Sequence, residues 1–192
     1  MGEKALSHTT YDTYLTLEAE SEVKYEYHDG FVVAMAGGTP THSLICSNAG
    51  RFIGNALDAA GKNCKVYNSD LKVRIESVNR TYYPDVTVAC EEPQFSEKDA
   101  NALINPTLLI EVLSKSSEAV DRIEKFHYYR ELTSFQEYVL ISQVEPKVIT
   151  HYYKGPDLWE FKTVKGLDQA VPLQSLGCEV QMKDLYRMVD WK

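Results

Sequence analysis

Residues 107–113 read Thr-Leu-Leu-Ile-Glu-Val-Leu, an apolar run that is interrupted by one carboxylate, Glu111. Continuous apolar runs of this length, rich in branched residues, are typical of short strands that are covered on both faces. An ionised side chain there is costly unless a cation or a hydrogen-bonding partner accompanies it. The run therefore predicts an interior strand whose single acid is either paired or functional.

Residues 84–89, Pro-Asp-Val-Thr-Val-Ala, form a second strand of this kind, with Asp85 at its start. Because strand side chains alternate between faces, Glu111 projects between Leu109 and Leu113. If the two strands are neighbours, the two carboxylates can converge on one cation. Magnesium and manganese favour one or two carboxylates, with positions left for water and for phosphate oxygens.

Each acid also has a structural explanation. Glu111 could be a buried acid paired with an arginine or held by backbone amides. Asp85 follows a proline at the start of a strand, where an aspartate commonly bonds the amides of a local turn. The residue types alone leave both explanations open.

A lysine follows on the next predicted element, a helix from about residue 117 to residue 131. Lys125 lies four residues beyond Asp121 on this helix. An amine near a scissile phosphate can orient or help deprotonate the attacking water, and it offsets charge that develops on the phosphate. The alternative is an exposed Asp121–Lys125 pair, worth only about 0.3 to 0.5 kcal/mol.

The remaining pattern mixes strands and helices. His28-Asp29-Gly30 predicts a tight hairpin, and Thr39 with Pro40 predicts the start of a helix that ends at Gly61. Further strands are expected at 65–75, 136–142, 147–153 and 158–164, a polar connection at 91–105, and a short helix at 181–189. This order predicts an α/β fold with a mixed central β-sheet flanked by helices and with hairpin extensions.

The composition allows one core and excludes several protein classes. With 192 residues, of which 44% are hydrophobic, the chain fits a single domain, 1–192. The four cysteines lack a C-x-x-C pair, which favours reduced thiols over a thiolate metal site. Without an apolar signal segment or a run of roughly 18 apolar residues, the chain is expected to be cytoplasmic and to have no membrane partner.

The net charge of −8 runs against the simplest expectation for a nucleic-acid-binding protein. Binding requires only a local basic face, however, and the acids of a metal site add negative charge of their own. The candidates for such a face are the basic residues Lys62, Lys65, Lys72, Arg74, Arg80, Lys115, Arg122 and Arg130.

The order of these pieces resembles the PD-(D/E)xK nuclease superfamily, and more narrowly its Uma-two branch of bacterial restriction-type endonucleases. The residues that carry the resemblance are Tyr25-Glu26, Asp29-Gly30, Thr39-Pro40, His42, Tyr83-Pro84-Asp85-Val86, Leu109-Ile110-Glu111-Val112-Leu113-Ser114, Asp121, Lys125, Tyr128 and Glu137-Tyr138. Each motif is weak alone, but the ordered set covers residues 14 to 153. The resemblance implies a restriction-endonuclease-like core.

The resemblance also implies roles for individual residues. Asp85 and Glu111 would hold Mg²⁺ or Mn²⁺, the backbone carbonyl of Val112 would add a ligand, and Lys125 would be the catalytic lysine. Glu26 and His42 are accessory candidates, Glu26 for a second metal or an outer-shell water and His42 for phosphate or carboxylate contact.

The chain departs from the family pattern at three points. Leu113 occupies the position two after Glu111 where the superfamily motif has lysine, so the lysine must come from the following helix. Lys115 stands where the branch has proline, and Thr133-Ser134 replaces a glycine turn. The last two changes concern the scaffold more than the chemistry.

These observations favour a metal-dependent DNA endonuclease that hydrolyses phosphodiester bonds with metal-activated water. Duplex DNA is the expected partner, and because cutting both strands calls for two centres, a homodimer is expected. One alternative is a nucleic-acid-binding or assembly module that keeps the nuclease fold with a weak or inactive centre. Another is a protein-interaction domain whose buried acids are only structural.

Overall fold

The computed structural model describes residues 9–114 and 118–191. The α/β fold class is confirmed, with helices packed on mixed sheets. In chain order the elements are α1 (Tyr11–Ala19), β1 (Tyr25–His28), β2 (Phe31–Ala34), α2 (Pro40–Ala59), β3 (Lys65–Asn68), β4 (Lys72–Ile75), a 3₁₀ turn (Glu76–Val78), β5 (Arg80–Tyr82), β6 (Val86–Ala89), β7 (Phe95–Ser96), β8 (Asp99–Leu103), β9 (Leu108–Leu113), a π-helix (Val120–Lys125), α3 (Phe126–Tyr129), β10 (Glu137–Ser142), β11 (Lys147–Gly155), β12 (Leu158–Lys165), β13 (Ala170–Leu173), β14 (Cys178–Gln181) and α4 (Met182–Leu185).

The strands form two six-stranded sheets and a separate hairpin, rather than the one central sheet that the sequence predicts. Sheet I has the order β2-β1-β5-β4-β8-β7, and sheet II has the order β12-β11-β10-β9-β6-β3. In sheet II, β9 and β10 are parallel and the other neighbours are antiparallel. Strands β6 and β9 are therefore neighbours. Asp85 directly precedes β6, and Glu111 lies within β9.

The extra sheet arises because the stretch 65–75, predicted as one strand, is broken by a turn. The Asn68 side chain accepts a hydrogen bond from the Asp70 amide, and the Asn68 carbonyl accepts one from the Leu71 amide. Asparagine bonding of this kind reverses the chain. As a result β3 joins sheet II and β4 joins sheet I.

Two other expectations are wrong in part. The region 91–105, expected to be a polar connection, contains β7 and β8, which complete sheet I. The helix expected at 181–189 is only Met182–Leu185: Gln181 pairs with β13, and the chain beyond Leu185 forms turns with a positive φ at Met188. The helix α1 is not anticipated by an apolar pattern, since its buried side chains are the tyrosines Tyr11 and Tyr14.

Local signals do place α2 and the first hairpin. The Thr39 side chain accepts a hydrogen bond from the His42 amide, and Pro40 is the first helical residue, as predicted. The turn between β1 and β2 has positive φ at Asp29 and Gly30, as two-residue hairpin turns require. Thus α2 begins at a fixed point, which matters because its first turn faces the acids.

The two faces of sheet II have separate cores. On one face, Ile45, Ile53 and other apolar residues of α2 pack on the β9 residues Leu108, Ile110 and Val112. On the other face, Leu109 and Leu113 pack with aromatic and aliphatic residues of sheet I and α3, including Tyr82 and Tyr129. Glu111 belongs to this second face. Its surroundings are therefore the apolar space between the two sheets.

The helical segment after β9 differs from an ordinary α-helix. The sequence predicts a helix from 117 to 131, of which residue 117 lies outside the described residues. Residues 120–125 form a π-helix, and an α-helical turn continues to Tyr129. π-Turns inside helices are rare and occur frequently at functional sites. Within the described residues, no helix has both the length and the apolar character needed to cross a membrane.

The thiols also differ from expectation. Cys64 and Cys90 form a disulfide that joins the start of β3 to the end of β6, whereas Cys46 and Cys178 are free. The sequence predicts reduced thiols because the cysteines are far apart in the chain. The antiparallel pairing of β3 with β6 brings two of them together.

We expect this crosslink to stabilise the fold. It closes a loop with a sequence separation of 26 residues, and loop-closure entropy for that length predicts that Cys64→Ser with Cys90→Ser lowers the free energy of unfolding by about 3 kcal/mol. Urea denaturation measures the change, with Cys178→Ser as the control. An equal stability of the double variant and the parent protein, with or without reductant, would show that the crosslink contributes nothing.

Candidate active site

The register of two neighbouring strands brings the two acids face to face. Strand β6 is antiparallel to β9, with Val86 opposite Ile110. Continuing this register by one residue puts Asp85 opposite Glu111. Side chains directly opposite each other in such a pair project to the same face, with Cβ atoms roughly 4.5 to 5.5 Å apart.

Two contacts hold the Asp85 carboxylate in place at the start of β6. Its Oδ2 accepts a hydrogen bond from the Val112 amide at 2.7 Å and lies 3.3 Å from Nε2 of His42. The turn-residue explanation is thus incomplete, because the amide that Asp85 binds lies on another strand. The hydrogen bond to Asp85 raises the pKa of His42 against the opposing effect of burial.

Lys125 is the cation at the centre of the site. Its Nζ lies 3.0 Å from Glu111 Oε1, 3.2 Å from Asp121 Oδ1 and 3.5 Å from Glu26 Oε1. The side chain is only 8% exposed, and that of Asp121 is 3% exposed. The alternative of an exposed surface pair is therefore wrong.

The lysine and its neighbours come from three elements. The π-helix buries Asp121 and Lys125 and leaves Ile123 between them exposed. Strand β1 supplies Glu26, whose carboxylate also accepts from the Tyr83 amide and contacts His28 Nε2 at 3.1 Å. Glu26 thus contacts the lysine directly.

The charges around Lys125 do not balance. Within the described residues, four carboxylates surround or adjoin this one ammonium: Glu26, Asp85, Glu111 and Asp121. Asp121 Oδ1 is buried and receives no well-aligned hydrogen bond. Excess buried negative charge is expensive, and hard oxygen donors of this kind are the ligands that Mg²⁺ and Mn²⁺ prefer. The donor set therefore fits a divalent cation.

The pKa values follow from burial and from this imbalance. Burial raises the pKa of Glu111 well above its usual range, and the contribution of Lys125 is opposed by Asp121 and Asp85. Burial lowers the pKa of Lys125, but Glu111, Glu26 and Asp121 together raise it well above the usual value. Lys125 is therefore an ammonium at neutral pH.

The Asp85 end of the site is more exposed than the Glu111 end. The Asp85 and His42 side chains are 14% and 19% exposed, whereas the Glu111 side chain is 5% exposed. Glu111 and Lys125 therefore lie deeper in the protein than Asp85 and His42.

Residues 11–183 match the model of the Uma2 family, whose description is "Putative restriction endonuclease". The chain belongs to the Uma2 family. Two relatives from Synechocystis sp. (strain ATCC 27184 / PCC 6803 / Kazusa) carry the names "Uncharacterized protein slr1290" and "Uncharacterized protein sll1609". The first is 32% identical over 92% of this chain and 90% of the relative, and the second is 34% identical over 75% and 80%.

A solved structure shares the fold. It is described as a "putative nuclease belonging to DUF820" from Anabaena variabilis ATCC 29413. The two superpose with a TM-score of 0.73, covering 93% of this Uma2 chain and 97% of the other, at 22% identity. At that identity the similarity establishes the fold and nothing finer.

Two tyrosines contact this Uma2 site, although the sequence patterns assign neither of them a role in it. The Tyr129 hydroxyl donates to Glu111 Oε1 at 3.0 Å, and the Tyr138 hydroxyl donates to the Asp121 carbonyl at 2.9 Å. The four-residue spacing of Lys125 and Tyr129 could have indicated that Tyr129 also reaches the site, because this spacing places both side chains on one helix face. Glu137 is not in the site: it is bound by the amides of Gln174 and Ser175.

The basic residues proposed for a binding face divide into two groups. Lys72 and Arg74 are buried, and Lys72 is paired with Glu18 and Asp99, so neither is available to a phosphate. Lys115 lies outside the described residues. The remaining ones, Lys62, Lys65, Arg80, Arg122 and Arg130, are at least partly exposed.

The pKa of Glu111 gives a stability prediction. A carboxyl whose folded-state pKa is raised binds more protons when folded, so the protein loses stability as pH rises from the ordinary carboxyl range toward that pKa. We expect Glu111→Gln to raise the free energy of unfolding at about pH 7, with a smaller gain at about pH 5, because Glu26 and Asp121 still pair with Lys125 in the variant. Urea titrations at both pH values measure the difference. Exposed Glu22→Gln is the control, and a loss of stability in the Glu111 variant would contradict the prediction.

Proposed function

We propose that this protein is a metal-dependent DNA endonuclease, with Mg²⁺ or Mn²⁺ as its cation. The observation that carries the proposal is the cross-strand acid pair Asp85 and Glu111 with the Lys125 ammonium 3.0 Å from Glu111. Membership of a family described as restriction endonucleases supports the same class of reaction.

The acids define where the cation would be held. Asp85 and Glu111 would supply carboxylate oxygens, and the Val112 backbone, which lies within hydrogen-bond reach of the His42 ring, would add a carbonyl oxygen. When bound, the cation would lower the pKa of a coordinated water and neutralise charge on the scissile phosphate. The Val112 amide already orients Asp85 for this role.

Lys125 acts as an ammonium rather than as a base. Its raised pKa keeps it protonated, so it stabilises negative charge on the phosphate and orients the water by hydrogen bonding. Glu26 and Asp121 position it through their contacts at 3.5 and 3.2 Å. His42, 3.3 Å from Asp85 and partly exposed, is placed to contact a phosphate oxygen at the mouth of the site.

We propose duplex DNA as the substrate and a homodimer as the active form. A duplex has two strands of opposite direction, so two sites related by a two-fold axis can each cut one strand. The acidic net charge requires that DNA contacts come from the exposed basic residues, because Lys72 and Arg74 are buried.

Cleavage of plasmid DNA tests the reaction. The purified protein with Mg²⁺ or Mn²⁺ should nick supercoiled plasmid, and a chelator should stop the reaction. We expect Glu111→Ala and Lys125→Met to lower the rate at least about 100-fold, since each removes a group that acts on the transition state. Glu22→Gln should retain full activity. Cleavage that persists in the Glu111 variant, or that needs no cation, would reject the assignment.

A non-catalytic DNA-binding module is the second candidate. It is favoured by the displaced lysine, because Leu113 occupies the usual lysine position, and by the acidic net charge. Salt-sensitive binding of DNA without turnover in any divalent ion would support it. Turnover that depends on Glu111 would exclude it.

A further inference from the structure

A thiol lies beside the proposed catalytic acids and has no role in the proposed reaction. Cys46 is one turn beyond His42 on α2, so both side chains face the same direction. Its Sγ lies 3.5 Å from His42 Nδ1. One ligand atom each from His42, Cys46 and Asp85 lie within 4.8 Å of one another, and all three residues are half-buried.

The distances approach those of a tetrahedral metal site. Zinc binds sulfur at about 2.3 Å and nitrogen or oxygen at about 2.0 to 2.2 Å, which separates neighbouring ligand atoms by roughly 3.3 to 3.7 Å. The three atoms therefore need to move inward by about an ångström, and a change in the His42 ring angle supplies part of this movement. The buried face of α2 fixes the positions of His42 and Cys46, and the Val112 amide fixes Asp85. The three ligands therefore lie close together before a cation binds.

The ligand types are different from those of the proposed catalytic cation. Thiolate and imidazole favour Zn²⁺ and Co²⁺, whereas Mg²⁺ favours oxygen. We propose that His42, Cys46 and Asp85 form a binding site for a thiophilic divalent cation of the zinc class, which shares Asp85 with the catalytic cation. The fourth position is taken by water.

Binding would change the protonation of the site. Burial, followed by the Asp85 carboxylate, raises the pKa of the Cys46 thiol, so it is protonated before a cation arrives. On coordination the thiol releases its proton to solvent and binds as thiolate. By engaging Asp85, zinc would compete with the catalytic cation for this carboxylate and so inhibit cleavage. This last consequence alone rests on the proposed function.

Cobalt substitution tests the site without DNA. A thiolate bound to Co²⁺ gives a charge-transfer absorption in the near ultraviolet, so titration of the protein with Co²⁺ should produce it, and Zn²⁺ should remove it. Cys46→Ser should abolish the band and weaken Zn²⁺ binding at least about 10-fold in competition with a chromogenic chelator. Cys178→Ser, which changes the other free thiol, should behave as the parent protein.

Two outcomes would overturn the proposal: no band in the parent protein, or a band of equal intensity in Cys46→Ser. Thermal unfolding checks that Cys46→Ser is folded, and His42→Ala provides a second variant that should weaken Zn²⁺ binding. Failure of the nuclease proposal is seen separately, as an absence of cleavage with Mg²⁺ or Mn²⁺ alone.

A second and independent observation concerns the outer strand of sheet II. Strand β12 pairs with β11 on one side and has no strand partner on its other side within the described residues. It is eight residues long, and Leu158 and Phe161 are 60% and 61% exposed. An exposed edge strand with large apolar side chains is a template for pairing with another chain.

The sequence of β12 is complementary to a second copy of itself. When a two-fold axis relates two antiparallel copies of one strand, the axis must lie at a residue that pairs with its own copy. The reason is that directly opposite side chains lie on the same face of the sheet, whereas consecutive side chains do not. A centre at Phe161 puts Glu160 opposite Lys162 of the second copy, twice, and Leu158 opposite Val164. Centres at Glu160 or Lys162 would instead oppose like charges.

We infer that β12 joins two copies of this chain through antiparallel pairing centred on Phe161, which gives the proposed homodimer its interface. Among the described residues, Glu160 contacts Lys154 and Gln174 through Oε2, which leaves Oε1 for Lys162 of the second copy. The pairing would extend sheet II across both copies.

Crosslinking and charge reversal test this register. In a background with Cys46 and Cys178 changed to serine, Phe161→Cys should form a crosslinked dimer under mild oxidation, and Thr163→Cys should not, because Thr163 faces Trp159 of the second copy. By light scattering, Glu160→Lys should weaken the dimer about 10-fold, and adding Lys162→Glu should restore it. A monomer at all concentrations, or a dimer that resists these changes, would reject this interface. DNA nicking by a monomeric variant would still support the nuclease.

Discussion

The structure depends on one electrostatic constraint, the excess of buried carboxylates around the Lys125 ammonium. Among the residues that the structure describes, four acids converge on a region with one lysine, and burial makes ionisation of Glu111 unfavourable. Such an arrangement is costly for folding, and a protein that needed only stability would replace it with apolar side chains of similar volume. The apolar packing on both faces of sheet II and the capped start of α2 provide the stability that offsets this cost. The buried acids therefore lower the stability of the fold, and the packing elsewhere compensates for that loss.

The same constraint explains the local architecture. The helical segment after β9 has π geometry, buries both Asp121 and Lys125, and brings Lys125 to Glu111. Glu26 arrives from the other sheet, so the lysine is held between sheets rather than within one. The Tyr129 hydroxyl donates to Glu111 and the Tyr138 hydroxyl donates to the Asp121 backbone carbonyl, which accounts for these two buried tyrosines without a role in base stacking. Lys125 thus reaches Glu111 from the following helical segment and not from β9 itself.

The Asp85 side of the site is different in character. It is partly exposed, it carries the imidazole and thiol of α2, and its ligand atoms mix oxygen, nitrogen and sulfur. A single carboxylate thereby borders two environments, one suited to hard cations and one suited to soft cations. The two cations would compete for Asp85, because this carboxylate lies opposite Glu111 and also beside His42 and Cys46 of α2.

Much of the site could be predicted from the sequence, because strand alternation is a local rule. The apolar runs fix the faces of Asp85 and Glu111, and Thr39, Pro40 and Asp29-Gly30 fix the start of α2 and the first hairpin. The sequence could not determine that 65–75 is divided between two sheets, that Cys64 meets Cys90, or that Lys72 and Arg74 are buried. Those features depend on which strands become neighbours. Strand pairing is set by contacts between distant residues, and only the tertiary structure decides it.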